Sequence, residues 1–294
     1  MAKRFFPYLL ETQSLTDTER ARLGEQFISL PDGFTHYELA GPVGAQPVVL
    51  IHGFSVPYYI WDHTFPALVE AGFQPLRYDL YGRGYSDRPN VTNSPDLFDR
   101  QLVHLISALN LKIPVDLVGL SMGGPISITF ADRHPELVRK LVLVDPAGIP
   151  MEVPLAFKLV TNPFWGKVLL DLLGGAILPR VMTSDFYNPQ NVKAFLKQYR
   201  PQMRYQGFIW SLLSTLRNGM LGDFTDVYAR VGGQKVPTLL IWGREDQTLP
   251  FELSQQILAL IPHAEFHPID EGGHIPHYER PEVVNPIIIR FLRS

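Results

Sequence analysis

Short apolar runs separated by longer amphipathic stretches set the rhythm of the chain. FTHYELAG (34–41) alternates like a strand, and PVVLIHG (47–53) is an uninterrupted apolar run suited to a strand buried on both faces. WDHTFPALVEAG (61–72) has helical spacing and stops at Gly72, after which FQPLRYDL (73–80) returns to strand character. A helix around Pro95 to Leu109, the run PVDLVGL (114–120), a helix beginning at Ser121 and the run KLVLVDP (140–146) continue the alternation. From about Gly148 to Gly233 no convincing strand occurs, and apolar residues fall at helical intervals, most clearly in VTNPFWGKVLLDLLGG, NVKAFLKQY and FIWSLLSTLRNG. Strand character resumes at VPTLLIWG (236–243) and AEFHPID (264–270), with helices over FELSQQILALI (251–261) and PEVVNPIIIRFL (281–292).

Strands alternating with helices at this spacing predict an α/β fold: a mostly parallel central sheet with helices on both faces. The predicted organisation is an N-terminal extension with mixed helical signals (1–28), a core built from 29–147 and 234–294, and a helical insertion (148–233). There is no internal repeat and no low-complexity tract.

Length and composition narrow the function. A chain of 294 residues suits one large α/β domain with an insertion. Lys and Arg total 26 against 29 Asp and Glu, a formal net charge of -3 with no long run of either sign, so nucleic acid is not an expected partner. With no cysteine, disulfides, thiolate metal sites and a cysteine nucleophile are excluded, which fits a reducing compartment. The N-terminal MAKRFFPYLLETQS has an apolar patch that ends at Glu11, too soon for a signal peptide, and no window has the apolar length of a membrane span. A soluble, cytoplasmic protein without integral membrane association is expected; the oligomeric state is left open.

One polar residue interrupts the strand-to-helix transition in VGLSMGG: Gly119, Ser121 and Gly123 form GxSxG. A serine on such a turn is forced into a strained conformation that presents its hydroxyl at the carboxyl edge of the sheet, where the next helix aims its free amides. The alternative is a glycine-rich turn with a serine cap. A serine nucleophile needs a histidine base, and the histidine needs a carboxylate to fix its tautomer. His274, in DEGGH just past the last predicted strand, is the candidate base; His277 behind Pro276 is read as a surface or packing residue. Asp246, in the loop of LLIWGREDQTLP, and Asp145, at the end of LVLVDP, are both candidate carboxylates, and the order Ser, Asp, His favours Asp246. His52 and the pair His274 and His277 do not complete a set of three ligands at metal spacing, so no metal is expected.

HGF (52–54), DLYGRGYSD (79–87), GLSMGG (119–124), GREDQTLP (243–250) and GGHIPHYERP (272–281) together make the chain resemble an α/β-hydrolase from about residue 34 to the C-terminus, apart from the insertion. The resemblance implies Ser121 as nucleophile, His274 as general base and acid, Asp246 as orienting carboxylate, and an oxyanion hole from the backbone N–H groups of Phe54 and Met122. It supplies no cofactor and makes DLYGRGYSD a structural turn. Epoxide hydrolases and haloalkane dehalogenases are set aside, because they carry aspartate where this chain has Ser121; the proline iminopeptidase pattern also differs after the serine.

In this fold such insertions lie over the active site as lids. Phe157, Phe164, Trp165, Leu169, Leu172, Leu173, Ile177, Phe195, Phe208, Trp210 and Leu213 give it ample apolar surface, part of it for lid packing and part for an acyl pocket; Trp165 and Phe208 are the candidate substrate contacts. Its basic residues, among them Lys158, Arg180, Arg200 and Arg204, are read as a solvent face. The expected activity is hydrolysis of short to medium acyl esters, similar to carboxylesterases and monoacylglycerol lipases. Alternatives with the same triad are a C–C, lactone or amide hydrolase or a cofactor-free perhydrolase; a non-enzymatic receptor on the same fold is the alternative from another class.

Overall fold

A computed structural model describes residues 9–152, 159–162 and 165–294. Phe157, Lys158 and Phe164 lie outside the described residues. The chain opens with α1 (Asp17–Leu23), whose N-cap Thr16 accepts the Glu19 N–H through its side chain. Strands β1 (Gln26–Leu30) and β2 (Gly33–Leu39) follow as an antiparallel hairpin, with Leu30 opposite Gly33. Next come β3 (Pro47–Ile51), α2 (Thr64–Glu70), β4 (Gln74–Tyr78), α3 (Pro95–Ala108), β5 (Val115–Leu120), α4 (Gly123–Arg133) and β6 (Val138–Val144). Among the described residues the α-helices that follow are α5 (Trp165–Thr183), α6 (Val192–Tyr199), α7 (Phe208–Arg217) and α8 (Thr225–Gln234). The chain closes with β7 (Thr238–Gly243), α9 (Leu253–Leu260), β8 (Glu265–Ile269), α10 (Pro276–Glu279) and α11 (Pro281–Arg293).

The strands form one eight-stranded sheet in the order β1-β2-β4-β3-β5-β6-β7-β8. β2 runs antiparallel to both β1 and β4, and all other pairings are parallel. Side chains alternate between two cores, which is why β3 is apolar at every position and the apolar residues of β5 and β6 fall on both faces. On one side Val49, Ile51, Leu117, Leu141, Leu143 and Trp242 pack with α3, α4, α8 and α9. On the other, Val48, Leu50, Val118, Val142, Val144 and Ile241 pack with α2 and α11, and the same cluster takes in Leu178, Phe195 and Phe208 of the insertion. Each such side chain stabilises the fold by about 1.5–3 kcal/mol relative to exposure.

β1 departs from expectation, because its residues fall partly in the predicted extension. QFISL has a weak alternation, and as an edge strand it is half exposed. The Pro31-Asp32-Gly33 turn is the signal that marks it as the first arm of a hairpin. Among the described residues no helix is long and apolar enough to cross a membrane.

Candidate active site

The parallel register places the carboxyl ends of β5, β6, β7 and β8 side by side, so the residues that follow them meet at one edge. Ser121, immediately after β5, has φ 52°, a left-handed conformation that costs a non-glycine residue on the order of 1–2 kcal/mol. The turn is pinned to sustain it: the Ser121 N–H donates to Val144 O at 3.0 Å, and Ser121 O accepts from the Gly124 N–H at 2.9 Å and the Ala147 N–H at 3.0 Å. Its flanking glycines are required by close approach. A Cβ on Gly119 would stand 2.4 Å from Gly123 O, and one on Gly123 would stand 2.3 Å from Ile51 O.

The HGF loop lies against this elbow: a Cβ on Gly53 would meet Ser121 Cβ at 3.2 Å. His52 shapes the loop by donating from Nδ1 to Gly53 O at 2.8 Å and accepting the Leu80 N–H on Nε2 at 2.9 Å. Burial pushes its pKa down to about 4, so it stays neutral, and both ring nitrogens are occupied. Arg83 holds Phe54 from behind, donating from Nε to Phe54 O at 2.8 Å and spending its other nitrogens on Tyr81 O and Thr215 Oγ1. From the insertion, Gln202 Nε2 donates to Ser55 O at 2.9 Å. The backbone N–H groups of Phe54 and Met122 have no acceptor among the described residues, which leaves both able to bond an incoming oxygen.

Asp246 follows β7 and His274 follows β8. His274 Nδ1 and Asp246 Oδ2 are 2.7 Å apart and buried, while Asp246 Oδ1 accepts the N–H groups of Thr248 and Leu249 at 2.8 and 2.9 Å. An ionised carboxylate there makes Nδ1 the donor and leaves Nε2 as the acceptor. Burial pulls the His274 pKa down, but the charge and hydrogen bond of Asp246, with a contribution from Asp185, outweigh it, so the net direction is up. Asp145, after β6, is also fully buried; its Oδ1 accepts the Gly243 N–H at 2.8 Å and its other oxygen makes no hydrogen bond among the described residues. Burial and the nearby charge of Asp246 push its pKa well up from the usual carboxylate range. Donor atoms of Asp145, Asp246 and His274 all lie within 4.8 Å of one another. With Nδ1 already engaged by Asp246 and one Asp145 oxygen by a backbone amide, the trio is a hydrogen-bonded His–Asp pair with a third carboxyl beside it.

The remaining candidates divide. His277 is fully buried, stacks on Trp61 with ring centroids 4.4 Å apart, and burial drives its pKa down to about 3, so it is a packing residue. Phe208 is completely buried and packs edge-on to Tyr199. Trp165, at the start of α5, is 56% exposed on the outside of the insertion. The DLYGRGYSD turn is organised by Asp79, which accepts from Tyr58 N–H and Tyr85 N–H and pairs with His36 Nδ1 at 2.6 Å. A cavity of about 230 Å³ beside that pair is lined by Tyr58, Arg77, Tyr85 and Gln198 and contains none of Ser121, Asp246 or His274. Sequence reasoning missed Asp185, a buried carboxyl of the insertion that reaches the Asp246 and His274 loops; no motif marks it.

An eight-stranded, mostly parallel sheet with a serine elbow after β5 and a His–Asp pair after β8 and β7 is the arrangement of an alpha/beta hydrolase. The model of the alpha/beta hydrolase family matches residues 48–287, and the chain belongs to that family. It is 28% identical to the 2-hydroxy-6-oxononadienedioate/2-hydroxy-6-oxononatrienedioate hydrolase of Cupriavidus pinatubonensis, over 95% of this chain and 98% of the relative. Among solved structures, a meta-cleavage product hydrolase from Pseudomonas fluorescens superposes with a TM-score of 0.73 at 26% identity, covering 91% of this chain and 97% of the other. An esterase from Thermogutta terrifontis shares the fold with a TM-score of 0.77 at 23% identity, covering 91% and 98%. The protein is thus a hydrolase.

Proposed function

We propose that the protein is a serine carboxylic ester hydrolase acting on short to medium acyl esters, in the manner of a carboxylesterase or monoacylglycerol lipase, with residues 148–233 as its lid. The observation that carries this reading is the buried 2.7 Å bond between His274 Nδ1 and Asp246 Oδ2, at the sheet edge where Ser121 is held on its strained turn. In this reading Ser121 Oγ attacks the ester carbonyl carbon as His274 Nε2 takes its proton. The carbonyl oxygen gains charge and is held by the N–H groups of Phe54 and Met122, a contribution worth about 10²–10³ in rate per donor. Collapse of the tetrahedral intermediate breaks the C–O bond, and His274 passes the proton to the leaving alcohol. Water, deprotonated by the same imidazole, then releases the acid from Ser121. No step calls for a metal or cofactor. The lack of cysteine fits a cytoplasmic setting.

Phe54 packs against the large apolar cluster that the sheet, α2, α11 and the insertion share, and its neighbour Ser55 donates its hydroxyl to Met182 Sδ at 3.2 Å, so an apolar side chain of the insertion borders the Phe54 loop, which supports an acyl-chain contact there. A second reading, cleavage of a C–C bond in an oxo-dienoate acid, draws on the names of relatives such as the 2-hydroxy-6-oxononadienedioate hydrolase. The first is preferred because such a diacid needs cations, and Arg83, the guanidinium that reaches the Phe54 loop, is fully buried with each of its three nitrogens already hydrogen-bonded, to Phe54 O, Tyr81 O and Thr215 Oγ1. The test is a comparison of kcat/KM for p-nitrophenyl esters from acetate to decanoate with that for a 2-hydroxy-6-oxo-dienoate, alongside fluorophosphonate labelling. Labelling at Ser121 with ester turnover supports the ester reading. Turnover of the dienoate some hundredfold above every ester would replace it with the second.

A further inference from the structure

Asp185 lies in the turn after α5 and is buried, yet it belongs to neither of the loops that carry the acid–base pair. It touches both. Its main-chain oxygen accepts the His274 N–H at 2.8 Å, and its Oδ1 accepts the Thr248 hydroxyl at 2.7 Å. Thr248 in turn donates its own N–H to Asp246 Oδ1 at 2.8 Å. The approach depends on a bare backbone at Gly273, where a Cβ would stand 2.5 Å from Asp185 O and 2.7 Å from Tyr187 N. Glu279 fastens the same junction, accepting from the N–H groups of Gly273, Tyr187 and Asn188. One segment of the insertion is therefore hydrogen-bonded to the backbone of the candidate base and, through one hydroxyl, to the candidate acid.

We propose that Asp185 is a positioning residue for the hydrolytic reaction: a buried carboxylate that the insertion brings to the loops of His274 and Asp246, so that assembly of the acid–base pair depends on the seating of the lid. This rests on the reading of His274 as the base. The charged groups around Asp185 are His274 itself, Asp246 after β7, Asp145 after β6 and Glu279 on α10. Burial pushes the Asp145 pKa up, and Asp246 and Asp185 are the carboxylates whose charge acts on the imidazole. Burial pushes the Asp185 pKa up to about 6, against the opposing pull of His274 and the Thr248 hydroxyl, so the carboxylate is ionised through the range in which the base works. An imidazolium forming in the transition state then meets a second negative charge in a water-poor setting, where such interactions are strong.

The test is the pH profile of kcat/KM for p-nitrophenyl butyrate. Asp185→Asn keeps an oxygen that accepts from Thr248 but removes the charge. It is expected to move the rising limb to lower pH by about half to one unit and to lower plateau kcat about three- to tenfold, with KM within about twofold, since one pKa unit corresponds to a tenfold change. Thr248→Ala leaves the insertion untouched and deprives the carboxylate of its hydroxyl donor, which keeps Asp185 protonated to higher pH. Its limb moves in the same direction by less. A limb at the wild-type position in Asp185→Asn overturns the proposal whatever the plateau, because a purely structural role lowers activity without shifting the midpoint. Should Asp185→Asn fail to fold, an unmoved limb in Thr248→Ala overturns it. Ser121→Ala separates this from the underlying reading: activity surviving there removes the serine mechanism, whereas loss there together with an unmoved Asp185→Asn limb removes only the role of Asp185.

Discussion

Asp145 and Asp246 leave neighbouring strands β6 and β7 and meet behind His274, where the donor atoms of all three lie within 4.8 Å, yet only Asp246 is hydrogen-bonded to the ring. In the sequence both stand past strand ends, and the order Ser, Asp, His favours Asp246. The bonding separates them: Asp246 receives two backbone amides and the imidazole, whereas Asp145 receives one amide and burial pushes its pKa up. Asp246→Asn is expected to lower kcat by roughly 10⁴, because the amide favours the wrong histidine tautomer. Asp145→Asn keeps an oxygen that accepts the Gly243 N–H and breaks no bond to the imidazole, so it is expected to cost less than about tenfold. The reverse ranking in ester hydrolysis assays would move the catalytic acid to β6.

Ser121→Ala removes one oxygen from a turn whose backbone is fixed by Val144, Gly124 and Ala147, so the fold should survive. Turnover of p-nitrophenyl butyrate is expected to fall by on the order of 10⁶. Alanine is also strained at φ 52°, so thermal stability should stay close to that of the wild type. More than a few per cent of wild-type activity in a clean preparation contradicts the assignment.

The base must be neutral to accept the serine proton, and the His274 pKa lies above its ordinary 6.5 once Asp246 and Asp185 have offset burial. The rising limb of kcat/KM should therefore have its midpoint above 6.5, and chelators should leave it unchanged. The sign for stability is opposite. A histidine whose folded pKa is raised stabilises the fold fully below its unfolded value, and that contribution is lost as pH rises through the folded pKa. Denaturant midpoints for the wild type and His274→Ala should thus differ more at pH 6 than at pH 9.

Much of this arrangement is legible in the sequence, for a physical reason. Val48 to Ile51 contact cores on both faces of the sheet and read as an unbroken apolar run, and Val115 to Leu120 do the same apart from Asp116, which pairs with Arg139. Gly119 and Gly123 stand out because atoms of other residues occupy the space of their missing side chains. The edge strand Gln26–Leu30 is harder to see, being half exposed and held chiefly by its hairpin partner. Asp185 is invisible in sequence, because its significance comes from a junction between segments 63 and 89 positions apart, to Thr248 and His274.

Asp185 should also leave a mark on stability. Its folded pKa of about 6 exceeds the ordinary 3.8, so the fold binds the proton more tightly than the unfolded chain does. Stability is then lost as pH rises between these values, and the full penalty is present above pH 6. Asp185→Asn is expected to raise Tm at pH 8 and to leave it nearly unchanged at pH 4. A Tm at pH 8 no higher than that of the wild type would show that the carboxylate carries no desolvation penalty.

The last expectation concerns how the insertion meets the acyl chain. If the apolar cluster that brings Met182 to the Phe54 loop takes that chain, each methylene that fits contributes up to about 0.8 kcal/mol. Values of kcat/KM should climb with acyl length until the space is filled and then fall. Trp165 and Phe208, alike as candidates in the sequence, now carry different expectations. Phe208 is fully buried against Tyr199, so Phe208→Ala should cost about 3–5 kcal/mol of stability, and the space it vacates should move the optimum to longer chains if it opens toward the site. Trp165 is 56% exposed, so Trp165→Ala should leave both the length optimum and the Tm near wild type. A length profile shifted by Trp165→Ala and untouched by Phe208→Ala would mean that α5 turns its outer face to the substrate during turnover. A wild-type profile flat from acetate to decanoate would remove the acyl pocket from this cluster and favour the C–C bond reading.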